Sequence, residues 1–250
     1  MENFMKPQDG DETCDALFGG QLKLFQSRAG YRFSLDALLL ADFVTVKVRD
    51  KFADLGTGSG VVPLVLARRE KSISILAVEC QDALAERAQR NVTLNHLASK
   101  IKVVRGDVRQ IGALALAGSF DAVVCNPPYR KSGSGRLSPN DEKQIARHEI
   151  NGALPDFLRA AASLLRGKGR IALVYGAGRM IDLLAAMRQL KLEPKRLRMV
   201  HSFAGAEASL VLVEGVKGGG SGIKILPPLI VFRHGKEYSE EVVKLIAGEF

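Results

Sequence analysis

The sequence predicts an α/β fold: a mostly parallel sheet flanked by helices, with antiparallel strands toward its C-terminal end and a short hairpin and helix at its start. Three observations carry this. Short apolar runs of strand length alternate with segments of helical periodicity. One strand, Phe52 to Leu55, runs straight into a glycine-rich turn, Gly56-Thr57-Gly58-Ser59-Gly60, and a helix starts near Val61. Another, Phe120 to Cys125, is cut off by Asn126-Pro127-Pro128-Tyr129, whose prolines forbid further sheet pairing.

The totals suit one folded domain across residues 1–250, with 1–50 as an N-terminal hairpin and helix extension and 51–250 as the core. The chain is 46% hydrophobic, enough for a substantial core. No apolar run reaches the ~18 residues that span a bilayer, and Met1 to Glu12 is too polar for a signal peptide. Cys14, Cys80 and Cys125 are scattered and lack metal-ligand spacing, so buried free thiols in a reducing cytoplasm are expected. A net charge of +9 suits a polyanionic partner.

Taken in order, Met1 to Thr13 reads as a tail. Gln21 to Gln26 and Tyr31 to Phe33 alternate as a hairpin. Ser34 caps a helix with Leu35, Leu38, Leu39 and Phe43 on its buried side. Asp36 falls in that helix's first turn, where it serves either the helix dipole or a cofactor at the site's edge. Glycines at 56, 58 and 60 let the backbone approach a ligand, and the helix N–H groups behind them attract an anion. Ile73 to Val78 is the second core strand, ending at Glu79, which is placed for ribose hydroxyls or as a first-turn acid for the helix Ala83 to Leu97. That helix puts Ala83, Leu84, Ala88, Val92 and Leu94 on one face and Arg, Gln and Asn on the other. Ile101 to Val104 ends at Gly106-Asp107, and Asp107 is either an acceptor for an adenine amino group or a turn residue. Asp54, Glu79, Asp107 and Asn126 thus stand at four successive strand ends. Ligands of open α/β sheets bind at that edge.

The tetrapeptide is suited to a planar amino group. An Asn side-chain oxygen and a proline-flanked carbonyl are two acceptors for its two N–H donors, and a tyrosine face can stack on the attached ring. After it, Arg130, Lys131, Arg136, Lys143 and Arg147 face two acids, Asp141 and Glu142, in a basic loop ending near His148. Ala153 to Leu165 is expected as a helix, Arg170 to Tyr175 as a strand and Ile181 to Leu190 as a helix. Lys191, Lys195, Arg196 and Arg198 form a second basic cluster, either phosphate-tracking or simply solvated. Leu197 to Phe203 and Ser209 to Val216 read as an antiparallel hairpin. Gly218 to Gly222 is a turn, Ile223 to Phe232 a further strand and Glu240 to Phe250 a terminal helix.

Asp-Leu-Gly-Thr-Gly-Ser-Gly from Asp54, then Glu79, Asp107 and Asn-Pro-Pro-Tyr, resemble the Rossmann-like class I methyltransferases that use S-adenosyl-L-methionine and act on amino nitrogens of DNA, RNA or protein. The resemblance implies that Asp54, Gly56, Thr57, Gly58 and Gly60 hold the methionine part, with Asp36 at the edge. It implies that Glu79 binds the ribose, and Asp107 with Val108 the adenine. Asn126 would stand between cofactor and acceptor, with Pro127, Pro128 and Tyr129 completing the catalytic set. Leu17-Phe18-Gly19-Gly20, Tyr31 to Ala41, Asn126 to Lys131, Ala146-Arg147-His148-Glu149 and Lys217-Gly218-Gly219 further resemble the bacterial tRNA adenine-N6 methyltransferases, over about Leu17 to Phe232. That family methylates the adenine beside the anticodon of a valine tRNA, so the resemblance implies an anticodon loop as partner. Arg130, Lys131, Arg136, Arg147 and His148 would contact the RNA. A sulfonium methyl needs no metal, and none is expected; nor is a membrane partner. The alternatives are a ribosomal RNA adenine and a release-factor glutamine. The second implies a helical N-terminal domain, for which about 50 residues seem too few.

Overall fold

The computed structural model describes residues 12–28, 34–127 and 153–250. The expected strand Tyr31 to Phe33 lies outside them, as do Pro128, Tyr129, Arg130, Lys131, Arg136, Arg147 and His148.

In chain order the elements are β1 (Glu12–Leu17), β2 (Leu22–Ser27), α1 (Leu35–Phe43), β3 (Lys51–Leu55), α2 (Val61–Arg69), β4 (Ser74–Glu79), α3 (Asp82–Leu94), β5 (Ile101–Arg105), α4 (Ile111–Leu114) and β6 (Phe120–Cys125). Then follow α5 (Leu154–Leu164), β7 (Leu165–Gly176), α6 (Met180–Gln189), β8 (Leu192–His201), β9 (Ala208–Lys217), β10 (Lys224–Ile225), β11 (Leu229–Ile230), β12 (Phe232–His234), β13 (Glu237–Tyr238) and α7 (Glu240–Ala247).

The main sheet runs β10-β8-β9-β7-β6-β3-β4-β5, with β11 also on β8. Strands β7, β6, β3, β4 and β5 pair in parallel, and β9 is antiparallel to both its neighbours, as the sequence predicts. The chain leaves β3 toward β4 on one side and returns to β6 on the other. The point where strand order reverses therefore lies between the carboxyl ends of β3 and β6.

Strand alternation divides the core into two layers. Phe52, Ala122, Val124, Ala172, Val174 and Leu212 face α1 and α2. Ala53, Leu55, Val123, Cys125, Ile171, Leu173 and Val213 face α5 and α6. Helix α1 is buried from Ala37 to Ala41, not on one side only, because it is held among α2, β7, β9 and α7.

Four expectations are corrected. The N-terminal hairpin pairs β1 with β2, and Thr13 belongs to a strand rather than a tail. Its turn, Phe18–Gly20, uses Gly19 and Gly20 at φ 62° and 90°, and Glu12 at its far end is buried against Arg87 and Arg90. Second, the polar residues of α3 do not all face solvent, and Ala83, expected on the apolar face, is exposed. Arg90 and Asn91 are buried because the hairpin packs on the helix. Third, Ile223 to Phe232 is not one strand. Pro227 and Pro228 lack the N–H a ladder needs, so it splits into β10 and β11, both parallel to β8, before the small β12–β13 hairpin. Fourth, three cations of the second basic cluster are spent internally. Lys195 donates to the carbonyls of Gly220, Ser221 and Gly222, Arg196 to Thr45 and Glu214, and Arg198 to Glu241 and Pro227.

Asn91 joins three parts of the chain. Its Oδ1 accepts the Phe25 N–H at 2.6 Å, and its Nδ2 donates to the carbonyls of Phe25 at 3.2 Å and Ser59 at 2.9 Å. It thus closes the open edge of β2 and fixes the glycine turn. Asn91→Ala leaves these buried groups unpaired at ~1–3 kcal/mol each. With three such groups it should lower the melting temperature by at least about 6 °C in a thermal scan, given ~2–4 °C per kcal/mol at this size. A melting temperature equal to wild type would disprove that linkage.

Candidate active site

The turn after β3 is a backbone feature first. Gly56, Gly58 and Gly60 sit at φ 73°, 58° and 85°, which side chains with a Cβ rarely adopt. A Cβ on Gly56 would also lie 3.0 Å from the Phe157 ring, so the turn is packed from below by α5. The N–H groups of Gly56 and Thr57 both donate to the Val78 carbonyl, at 2.8 and 3.0 Å, which ties the turn to β4.

Glu79, at the end of β4, is buried. Its Oε2 accepts the Gly58 N–H at 2.9 Å and its Oε1 the Gln81 N–H at 2.9 Å. A carboxylate has about four acceptor positions, so this bracing leaves capacity for ribose hydroxyls. Asp107 follows β5 and is half-exposed. It caps the turn after it by accepting the Arg109 N–H at 2.8 Å, and it also pairs with the Arg109 guanidinium. The Arg109 pairing holds its carboxyl below the usual range. Val108 beside it is buried against the α5 layer.

A cavity at the switch point is lined by Asp54, Gly56, Thr57, Ser59 and Asn126, with Ala37, Val61 and Val62 as its apolar wall. The structure therefore brings Asp54, the glycine turn and Asn126 together. Glu79 braces that turn from outside the lining, Asp107 stands one strand further on, and Asp36 adjoins the lining residue Ala37. Pro127 is buried next to Asn126. A larger groove of about 390 Å³ opens at the opposite edge, by Lys51, Lys100 and Phe120. It has neither the glycine turn nor an unpaired buried polar atom.

The chemistry of the switch-point cavity lies in what it leaves unpaired. Asp54 Oδ2, Thr57 Oγ1 and Ser59 Oγ are buried without a hydrogen-bond partner, which is costly unless a ligand supplies one. Burial pushes the Asp54 carboxyl up to about 7; the Thr57 hydroxyl, near Asp54 but outside hydrogen-bond geometry, offsets part of this and the Glu79 charge adds to it. A buried carboxyl with a bare oxygen favours a cationic donor. The α-ammonium and sulfonium of S-adenosylmethionine fit that chemical requirement, and Asp54, Thr57, Ser59 and the glycine turn are the groups that could hold it. Covalent thiol chemistry does not fit. Burial pushes Cys125 well up and Cys80 up to about 11, so both stay protonated at neutral pH. Cys14, expected buried, is exposed.

Sequence reasoning passed over Ser59 as a mere spacer and Asn91 as a surface residue. Ser59 could have been found as a hydroxyl inside the glycine turn. Asn91 carries no local signal, because its burial depends on a hairpin 66 residues away.

The family described as methyltransferase small domain matches residues 33–190. A tRNA1(Val) (adenine(37)-N6)-methyltransferase of Bacteroides fragilis is 28% identical over 227 residues, covering 90% of this chain and 93% of that one. Its namesake from Haemophilus influenzae is 32% identical over 164 residues, covering 64% and 69%. Among solved structures, one described as a predicted O-methyltransferase of Agrobacterium tumefaciens superposes with a TM-score of 0.68 at 24% identity, over 86% of this chain and 96% of that one. The Thermus thermophilus 16S rRNA N2 G1207 methyltransferase, solved with AdoMet and guanosine, gives 0.58 at 20% identity, over 85% and 52%. These likenesses show the Rossmann-like class I fold.

Proposed function

Because the chain belongs to the methyltransferase small domain family, we propose that it methylates N6 of an adenine in RNA, and that the acceptor is the adenine beside the anticodon of a valine tRNA. One observation carries this reading. The switch-point cavity sets unpaired buried groups for a cation, at Asp54, Thr57 and Ser59, against the amide of Asn126. The names of the relatives favour adenine in tRNA over the other amino acceptors. The reading makes residues 51–250 the catalytic core and 1–50 an extension of it, and it places the protein in the cytoplasm, where tRNA is modified.

S-adenosylmethionine supplies, when bound, a methyl group on a sulfonium. The chain supplies position and charge. Adenine N6 is a poor nucleophile because its lone pair is delocalised into the ring. The Asn126 side-chain oxygen and the Pro127 carbonyl accept its two N–H groups, which favours the positive charge that builds on N6 during transfer. The N6–methyl bond would form as the methyl–sulfur bond breaks, the thioether S-adenosylhomocysteine would leave, and the methylated N6 would release its extra proton to solvent afterwards. This differential binding of the transition state therefore requires no general base during transfer. In-line placement of N6 supplies the rest. Tyr129 would stack on the extruded base, at ~1–3 kcal/mol for such a contact, with Pro128 completing the set. Arg130, Lys131, Arg136, Arg147 and His148 contact the RNA backbone. Extrusion is cheapest from a single-stranded loop, which suits an anticodon.

The test is transfer of labelled methyl from S-adenosylmethionine into unmodified total tRNA, ribosomal RNA and a release factor, side by side, with nucleoside analysis. N6-methyladenosine in tRNA is the expected product. Label in ribosomal RNA or in the release factor alone would move the acceptor to that class.

A further inference from the structure

We propose that the β12–β13 hairpin, together with Phe203, is a stacking platform for the single-stranded RNA that flanks the target adenine. The inference rests on the RNA reading above and adds a surface to it.

Three rings form a continuous array. Phe203 and Phe232 lie 5.6 Å apart at 35°, and Phe232 and Tyr238 lie 5.1 Å apart at 15°. Phe232 and Tyr238 are partners across the hairpin, and Phe203 reaches them from the β8–β9 connection. A cross-strand aromatic pair is what a small hairpin needs to hold its register. The third ring, and the exposure of the two end rings, exceed that need. Phe203 is 37% exposed and Tyr238 38%. An aromatic array whose end rings are exposed can be lengthened by a base of any kind, which is how single-stranded nucleic acid is held without reading its sequence.

The position is also specific. The Val231 N–H donates to the His201 carbonyl and the Phe232 N–H to that of Ser202, at 2.8 and 2.9 Å. These bonds anchor the hairpin at the carboxyl end of β8, on the sheet edge that carries Asn126. From β6 the sheet order runs β7, β9, β8. Phe203 follows β8, three steps of ~4.8 Å from β6, and the hairpin follows β11, a fourth step, so the platform lies about 14–19 Å along the edge, the rise of about four to six stacked nucleotides at ~3.4 Å each. Arg179 stands on that path, beyond the carboxyl end of β7. Its Nη1 donates to the Tyr175 hydroxyl at 2.9 Å, and its guanidinium also pairs with Asp182, so a cation is held in place between the two sites. The hairpin itself exposes Arg233, His234 and Lys236. Arg233 meets Glu240 at 2.6 Å, but both are exposed, so a phosphate can compete for it. Exposed cations beside exposed aromatic rings fit a phosphodiester chain with unstacked bases better than an apolar protein partner.

The experiment uses the full chain. It contains no tryptophan, so Tyr238→Trp introduces a single reporter at the end of the array. Titration with the tRNA it methylates should quench the tryptophan emission saturably, with methylation retained. In parallel, Phe203→Ala/Tyr238→Ala should raise the KM for tRNA about tenfold or more while kcat and cofactor affinity stay at wild type. Unchanged emission while Tyr238→Trp methylates tRNA normally would overturn the proposal, even if the double variant is impaired. So would a double variant with wild-type KM. In both cases the methyltransferase reading stands. If the wild-type protein labels only the release factor and binds no RNA, the acceptor reading and the platform fall together.

Discussion

Asn126→Ala is expected to bind S-adenosylmethionine as wild type does and to transfer its methyl group at least ~10²-fold more slowly, the usual loss when one preorganised polar contact to developing charge is removed. The two effects separate because the groups stand on different strands. The cofactor's proposed anchors, Asp54, the glycine turn and Glu79, belong to β3 and β4 and are braced by Val78 and Asn91. Asn126 follows β6 across the switch point and reaches the cavity from the other side. Truncating it removes one of two acceptors for N6, and the Pro127 carbonyl remains. Because the contact strengthens as charge builds on N6, the loss should fall on kcat more than on the KM for RNA. Single-turnover transfer of labelled methyl and calorimetric cofactor titration measure the two separately. Transfer at the wild-type rate would refute the role given to Asn126; loss of cofactor binding alone would make it an anchor instead.

The fold was legible where pattern and position agree. Each parallel strand from β3 to β7 is an apolar run that ends in a glycine, an acid or a proline pair, and each was placed within a few residues apart from β7, which begins earlier and spans 165–176. Legibility failed where the partner was remote. The run Glu12 to Leu17 alternates only weakly, and it becomes a strand because Arg90 and Arg87 receive Glu12 and because Asn91 and Asn95 hold β2. Lys195, Arg196 and Arg198 look like an RNA surface in one dimension. Folding engages each with a carbonyl or a carboxylate of the chain itself. The site followed the same rule. Strand-end position put Asp54 and Asn126 on one edge, where both line one cavity, whereas the unpaired state of Ser59 and Thr57 is a property of packing that spacing does not encode.

Asp54 should make cofactor binding depend on pH. In the ligand-free fold burial raises its carboxyl from 3.8 to about 7. Between about pH 4 and 7 the folded state therefore holds a proton that the unfolded state has released. The sign follows: this group destabilises the ligand-free fold as pH rises through that window, and the penalty is complete above about 7. A change of about three pH units corresponds to about 4 kcal/mol. A bound cation reverses the preference, because it pairs with the ionised form and donates to the bare oxygen. Cofactor affinity should then rise up to tenfold per pH unit below about 7 and level off above it. Asp54→Asn removes the titrating group. Its affinity should be flat over the same window and at least tenfold weaker than wild type at pH 8, while its ligand-free form should melt higher than wild type at neutral pH. Calorimetric titration and thermal scans at several pH values give both curves. A wild-type affinity independent of pH across that range would mean that Asp54 carries its charge before the cofactor arrives, and the unpaired oxygen would then need another cation to explain it.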